Sequence, residues 1–75
     1  MTIVVKQAIY EHDVVALTDT VARAESVGTW PAGTIGTVIG DYGEHKLIDI
    51  ANRRGETVDM PVVTVEKLEL VSRHR

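Results

Sequence analysis

Cysteine is absent from this chain of 75 residues, which removes both a disulfide framework and any thiolate ligand for a metal. A chain this short must then be stabilised by packing, by strand pairing or by association with another chain. The same absence fits a reducing compartment. Phenylalanine is absent too, and one Trp with two Tyr make up the aromatic complement. That is too few rings to line a proline-rich-peptide groove or to build a platform on which bases stack. Positive charge is also short: eight basic against eleven acidic side chains leave a net charge of -3, the wrong sign to attract a phosphate backbone. No apolar run approaches the roughly 18 residues of a membrane-spanning helix, and Met1-Thr2-Ile3-Val4-Val5-Lys6 lacks the layout of a secretory signal. These absences together predict a soluble, cytoplasmic protein.

What the chain does contain is Val, Ile and Leu, a composition that favours strands over helices. Neither a repeat nor a composition shift divides it, so one domain is expected, with a net stability of about 3–5 kcal/mol. Residues 10–72 read as the domain, 1–9 as an N-terminal arm or extra strand, and 73–75 as a basic tail. Asp13 to Thr18 alternates as a strand. Asp19 to Gly28 fits two readings, a short helix capped by Asp19 or Thr20 and ended by Gly28, or an extended loop. Pro31 and Gly33 mark a turn, with Gly33 in the positive-φ position of a type II turn. Gly36 and Gly40 interrupt the next strand, Thr34 to Tyr42, where glycine signals a bulge, a bend or the close approach of another backbone.

Turns follow at Asp41-Tyr42-Gly43-Glu44 and at Asn52-Arg53-Arg54-Gly55, and the strand between them, Leu47 to Ala51, points Ile48 and Ile50 inward and Asp49 outward. From Glu56 to Val63 the chain alternates again, with Val58, Met60 and Val62 on one face and Thr57, Asp59 and Val63 on the other. Pro61 cannot donate to a ladder and so marks an edge or a strand end. Thr64 is expected to cap one tight turn before a last strand carrying Leu68 and Leu70. Five short strands in so short a span predict a mainly-β fold, a small, closed or nearly closed five-stranded barrel.

His12-Asp13-Val14-Val15-Ala16-Leu17-Thr18, Gly33-Thr34-Ile35-Gly36-Thr37-Val38, Ile48-Asp49-Ile50 and Gly55-Glu56-Thr57, in that order and spacing, carry a resemblance. Residues 10 to 71 resemble the family called domain of unknown function 4926, a group of short bacterial proteins. The resemblance implies an SH3-like barrel and brings no catalytic residues with it. Two other barrels are similar in outline. In the plasmid-borne type of dihydrofolate reductase, four copies surround a pore, and a Val-Gln-Ile-Tyr run meets the ligands. Val58-Asp59-Met60-Pro61 stands in the similar place here, with Asp59 for the Gln and Pro61 for the Tyr, so the ligand-contacting groups are missing. The barrel of the nitrile hydratase β-subunit suggests an accessory subunit.

Candidate sites are few. Alternation at Glu11-His12-Asp13 sends Glu11 and Asp13 to one face and His12 to the other, so they do not converge, and no metal is expected. Ser26 and Ser72 lie in no nucleophile elbow, and the glycines at 33, 36 and 40 precede no helix N-terminus or lysine, so neither a catalytic group nor a cofactor is expected. Arg53 and Arg54 at a hairpin tip, with Arg73, His74 and Arg75 in the tail, are the best argument for nucleic acid, opposed by Glu44, Glu56 and the overall charge. Arg53, Arg54, Trp30 and Tyr42 are the candidate binding residues, Trp30 also serving as a lid on the core. The stronger signal is apolar surplus: Val14, Ala16, Ile39, Val63 and Val71 fall opposite the expected core, and Ile3-Val4-Val5 adds to them. These features predict a non-catalytic protein-interaction module, a homo-oligomer or an accessory subunit. Nucleic-acid binding stands second, and small-molecule binding or catalysis in an oligomeric pore third.

Overall fold

The computed structural model describes residues 8–73. The expected arm lies outside the described residues as far as Gln7, as does the tail after Arg73. Among the described residues there are eight extended segments, β1 (Val14–Leu17), β2 (Val21–Ala22), β3 (Thr29–Trp30), β4 (Ile35–Tyr42), β5 (His45–Ala51), β6 (Thr57–Asp59), β7 (Val62–Thr64) and β8 (Leu68–Ser72), with one 3-10 helix at Val65–Lys67. The fold is mainly β and every pairing is antiparallel. One sheet runs β6-β5-β4-β1-β8, with β7 pairing β5 next to β6, and β2-β3 form a separate two-stranded ribbon.

The expected five strands become eight for local reasons. Pro61 has no N–H to give, so the last long edge splits into β6 and β7, and the Pro61 carbonyl instead accepts from Ile48 N at 3.0 Å. Residues 19–28 form no helix: Val21–Ala22 pair as β2 with β3, which starts just beyond Gly28, and the residues between the two strands are a loop, the second of the two readings. Gly28 (φ +120°) does not end a helix; its carbonyl accepts from Arg23 N at 3.0 Å within the ribbon. No ladder among the described residues joins β8 to β6 or β7, so backbone pairing does not close a cylinder.

Two glycines carry the curvature. A Cβ at Gly36 would lie 2.4 Å from Ile48 Cγ2 and 3.0 Å from the Asp49 carbonyl oxygen, so β4 passes β5 too closely for any side chain. Near Gly40 the register slips, leaving Ile39 as an extra residue between the Val38–Ile48 and Gly40–Leu47 pairs, which bends the strand. The turn before β4 forms as expected in outline. Thr34 N donates to Pro31 O at 3.2 Å, which places Ala32 and Gly33 (φ +92°) in its central positions and Pro31 just ahead of them.

Alternation fills the core: Val15 and Leu17 from β1, Val38 from β4, Ile48 and Ile50 from β5, Val63 from β7 and Leu68 from β8, joined by Ile9, with Val21, Trp30 and Leu70 packed against them. Val63 corrects the sequence reading. It is 2% exposed while Val62 is 56% exposed, so β7 turns Val62 outward and Val63 inward. The phase follows from pairing, since Lys46 opposes Val63 and Leu47 opposes Val62. Truncating Val63 to Ala removes two buried methyl groups and should cost about 2 kcal/mol in urea unfolding. Val62→Ala should stay within about 0.5 kcal/mol of the parent, and the reverse order would put the phase wrong.

Two smaller expectations are also corrected. Thr64 precedes the 3-10 helix but makes no side-chain cap, and the turn is tied instead by Val65 N donating to Glu44 O at 2.9 Å. Glu11-His12-Asp13 is not part of an alternating strand. Tyr10 to Asp13 form a turn in which Asp13 is buried and accepts from Tyr10 N at 2.9 Å, and His12 adopts φ 75°. His12 and Glu11 then approach to 3.6 Å instead of parting to opposite faces.

Candidate interaction site

Trp30 is half-buried against the core, as a lid would be. Its indole N–H donates to Asp59 at 2.7 Å, and the Arg23 guanidinium lies 3.9 Å from its ring centroid. Asp59 is 2% exposed and also accepts from Ala24 N and Glu25 N, both at 2.9 Å. One carboxylate of β6 therefore anchors the middle of the β2–β3 excursion and the lid together. Burial pushes the Asp59 carboxyl up, but hydrogen bonds from the Trp30 indole and the backbone N–H groups of Ala24, Glu25 and Met60 outweigh it and hold the group below its ordinary value. Trp30 is thus committed to internal contacts.

Tyr42 is 67% exposed at the end of β4. Its ring folds back over Gly40, where a Cβ would lie 3.0 Å from the Tyr42 hydroxyl and 3.1 Å from Leu47 Cβ. Leu47 opposes Gly40 on one side and Val62 on the other. Tyr42, Gly40, Leu47 and Val62 therefore form a continuous uncharged strip across the outside of β4, β5 and β7, and Met60, two residues before Val62, is exposed on the same strand edge.

Arg53 and Arg54 are exposed at the β5–β6 tip, which Asn52 builds by accepting from Arg54 N at 2.9 Å and Glu56 N at 3.1 Å. The tip and Tyr42 occupy opposite ends of β5, roughly 20 Å apart at the usual strand rise. Arg73 does not join the tip either. Ser72 pairs with Val14, Val14 with Thr37 and Thr37 with Asp49, whereas the tip begins beyond Ala51. Arg73 instead donates to Ala8 O at 2.7 Å and lies over the Tyr10 ring. The four candidate residues are not brought into one site.

Lys46 was not visible as a site residue, because the sequence reading began the strand at Leu47. It shares the inward parity of Ile48 and Ile50, and it is 4% exposed. Its ammonium pairs with Asp41. That hydrogen bond, a second from Gly43 N at 3.0 Å and the positive charge itself hold the Asp41 carboxyl below its ordinary value against a smaller opposing effect of burial. The pair stands in the wall of an open groove of about 450 Å³ whose remaining lining is Ala8, Ile9, Tyr10, Gly43 and Val65.

Among the described residues, no three His, Cys, Asp or Glu side chains are grouped to hold a metal ion, and no helix is long and apolar enough to cross a membrane. Comparison with protein-family models, with curated proteins and with solved structures finds no match to this chain.

Proposed function

We propose that the chain is a small SH3-like barrel acting as a non-catalytic protein-interaction module, one that associates with further copies of itself. The resemblance to domain of unknown function 4926 belongs to the same reading. Its architectural half is supported by the strand order β8-β1-β4-β5-β6/β7, with a ribbon excursion after β1, tight turns after β4 and β5, and one 3-10 turn before β8. The ribbon stands against β6 through Asp59 and beside β7 across a crevice lined by Val21, Ala22, Val62 and Val63. The ribbon thereby flanks both halves of the β6–β7 edge, which supports a nearly closed arrangement.

The observation that carries the functional half is the strip of Tyr42, Leu47, Val62 and Met60, which runs over three strands without a charge in a protein of net charge -3. Apolar surface this continuous on so small a domain is characteristic of an interface, and closed symmetric dimers are its commonest use. Light scattering at tens of micromolar should give a mass of at least two 8.2 kDa chains, and Val62→Lys should return a folded monomer. A monomeric parent protein would overturn self-association.

A further inference from the structure

No ladder among the described residues pairs the β2–β3 excursion with the six-stranded sheet. None of the buried core side chains belongs to it either; Val21 and Trp30 are half-buried against that core from outside. Its base is fixed, because Thr18 N donates to Lys67 O at 2.9 Å and Gly33 N to Leu17 O at 2.7 Å. Between those two points, the hydrogen bonds that the described residues make from the excursion to the sheet all end on one side chain, the Asp59 carboxylate. The seating around that side chain is open. A crevice of about 220 Å³ separates Val21 and Ala22 from β7, and a hollow of about 310 Å³ lies between Glu25 and the β6 residues Thr57 and Val58.

Inside the excursion the contacts are its own. Val21 pairs with Trp30 and Ala22 with Thr29, Arg23 N donates to Gly28 O at 3.0 Å, and the Arg23 guanidinium lies over the Trp30 ring. None of these contacts crosses to the sheet, so all of them survive if the excursion moves as one piece. Asp59 accepts from both of its halves, Ala24 and Glu25 on one and Trp30 on the other, so loss of that grip frees both together. Segments with few buried apolar contacts open at a lower free energy than the core they rest on. We infer that residues 19–32 form a strap that swings open as a unit about Thr18 and Gly33, with Asp59 as its fastening, while the six-stranded sheet stays folded. Opening bares Val21, the Trp30 indole and the outer edge of β6 and β7 together, so the closed strap shields a strand edge open to pairing. Neither the hinge nor the fastening depends on self-association.

The test is amide hydrogen exchange of the full chain, followed by NMR in water and in urea below the unfolding transition. The amides of Arg23, Ala24 and Glu25 should share one protection factor, roughly tenfold or more below those of Val38 and Ile48. Their exchange should also depend less steeply on urea, because opening the strap exposes less surface than unfolding the chain. Ile48→Val weakens the core of the sheet, so it should speed Val38 exchange several-fold and leave the three strap amides unchanged. Asp59→Asn should speed the strap amides by about tenfold, the usual effect of losing hydrogen bonds to a charged acceptor. If that variant fails to fold, the urea dependence of the parent and the Ile48→Val comparison still decide. Strap amides that match Val38 in rate and urea dependence, three strap amides with unrelated rates, or equal acceleration of strap and sheet by Ile48→Val would overturn the inference. So would a folded Asp59→Asn whose strap amides keep the parent rate.

Discussion

Replacing Asp59 by Ala should remove most of the stability of this protein, about 3 kcal/mol out of an expected total of about 3–5 kcal/mol, read as a shift in the urea midpoint. The carboxylate accepts from Ala24 N, Glu25 N and the Trp30 indole, and truncation takes the acceptor from three donors at once and releases the β2–β3 excursion from β6. Asp59→Asn should cost less, because the amide oxygen still accepts from one or two of the donors while its NH2 opposes the rest. Acid should act through the same group. The carboxyl of Asp59 is held below its ordinary value of 3.8 in the folded chain, so its stabilising contribution is complete above that pH and is lost as pH falls through the lower folded-state value. Asp41 is displaced in the same direction and adds to the acid sensitivity. The Asp59→Ala variant should show a shallower decline than the parent. Equal acid sensitivity in parent and variant would show that Asp59 is not the latch.

Asp59 also marks where the sequence stopped being legible. The two-residue period placed Asp59 and Val63 together on one face and Val58, Met60 and Val62 on the other, and that division holds in the structure. The period does not say which face is inside. An acidic residue beside three apolar ones made the outward choice for the Asp59 face natural, and the choice was wrong because the carboxylate accepts from Ala24, Glu25 and Trp30, which lie 35, 34 and 29 residues earlier in the chain. No local pattern carries that information. The same holds for Ala24 and Glu25: a segment whose backbone N–H groups bond to a distant side chain reads, by itself, as equally suited to a helix or a loop. By contrast, the inward pair Ile48 and Ile50 was legible because β5 pairs with β4 and β6 through short turns, and β1 was legible from its own alternation, which sets Val15 and Leu17 on one face. Lys46 had a usable signal, its even spacing from Ile48 and Ile50, hidden because the expected strand began at Leu47. The outer strip is half-legible. Tyr42 was singled out by composition, but only the register could bring Leu47 and Val62 beside it.

Gly36→Ala should destabilise the chain by about 1–3 kcal/mol, against the ordinary expectation that alanine improves on glycine inside a strand by restricting the unfolded chain. The added Cβ would meet Ile48 Cγ2 at 2.4 Å and the Asp49 carbonyl oxygen at 3.0 Å. Ile48 is 1% exposed in the centre of the core, so its side chain has nowhere to retreat without displacing Val38 or Val15. Gly33 gives the opposite case: a Cβ there meets nothing within 4 Å, and Gly33→Ala should cost only about 1 kcal/mol, the strain of φ +92°. The close approach at Gly36 can be separated from a general intolerance of substitution by a double-mutant cycle. Ile48→Ala alone should cost about 2–5 kcal/mol through the cavity it opens, but it also removes the Cγ2 that blocks Gly36. In the double variant the new methyl group enters that space, so the combined loss should fall short of the sum of the two by about 1 kcal/mol or more. Additive losses would mean that the Asp49 backbone, not the Ile48 side chain, sets the clearance between β4 and β5, and that the curvature of the sheet is fixed by main-chain contact.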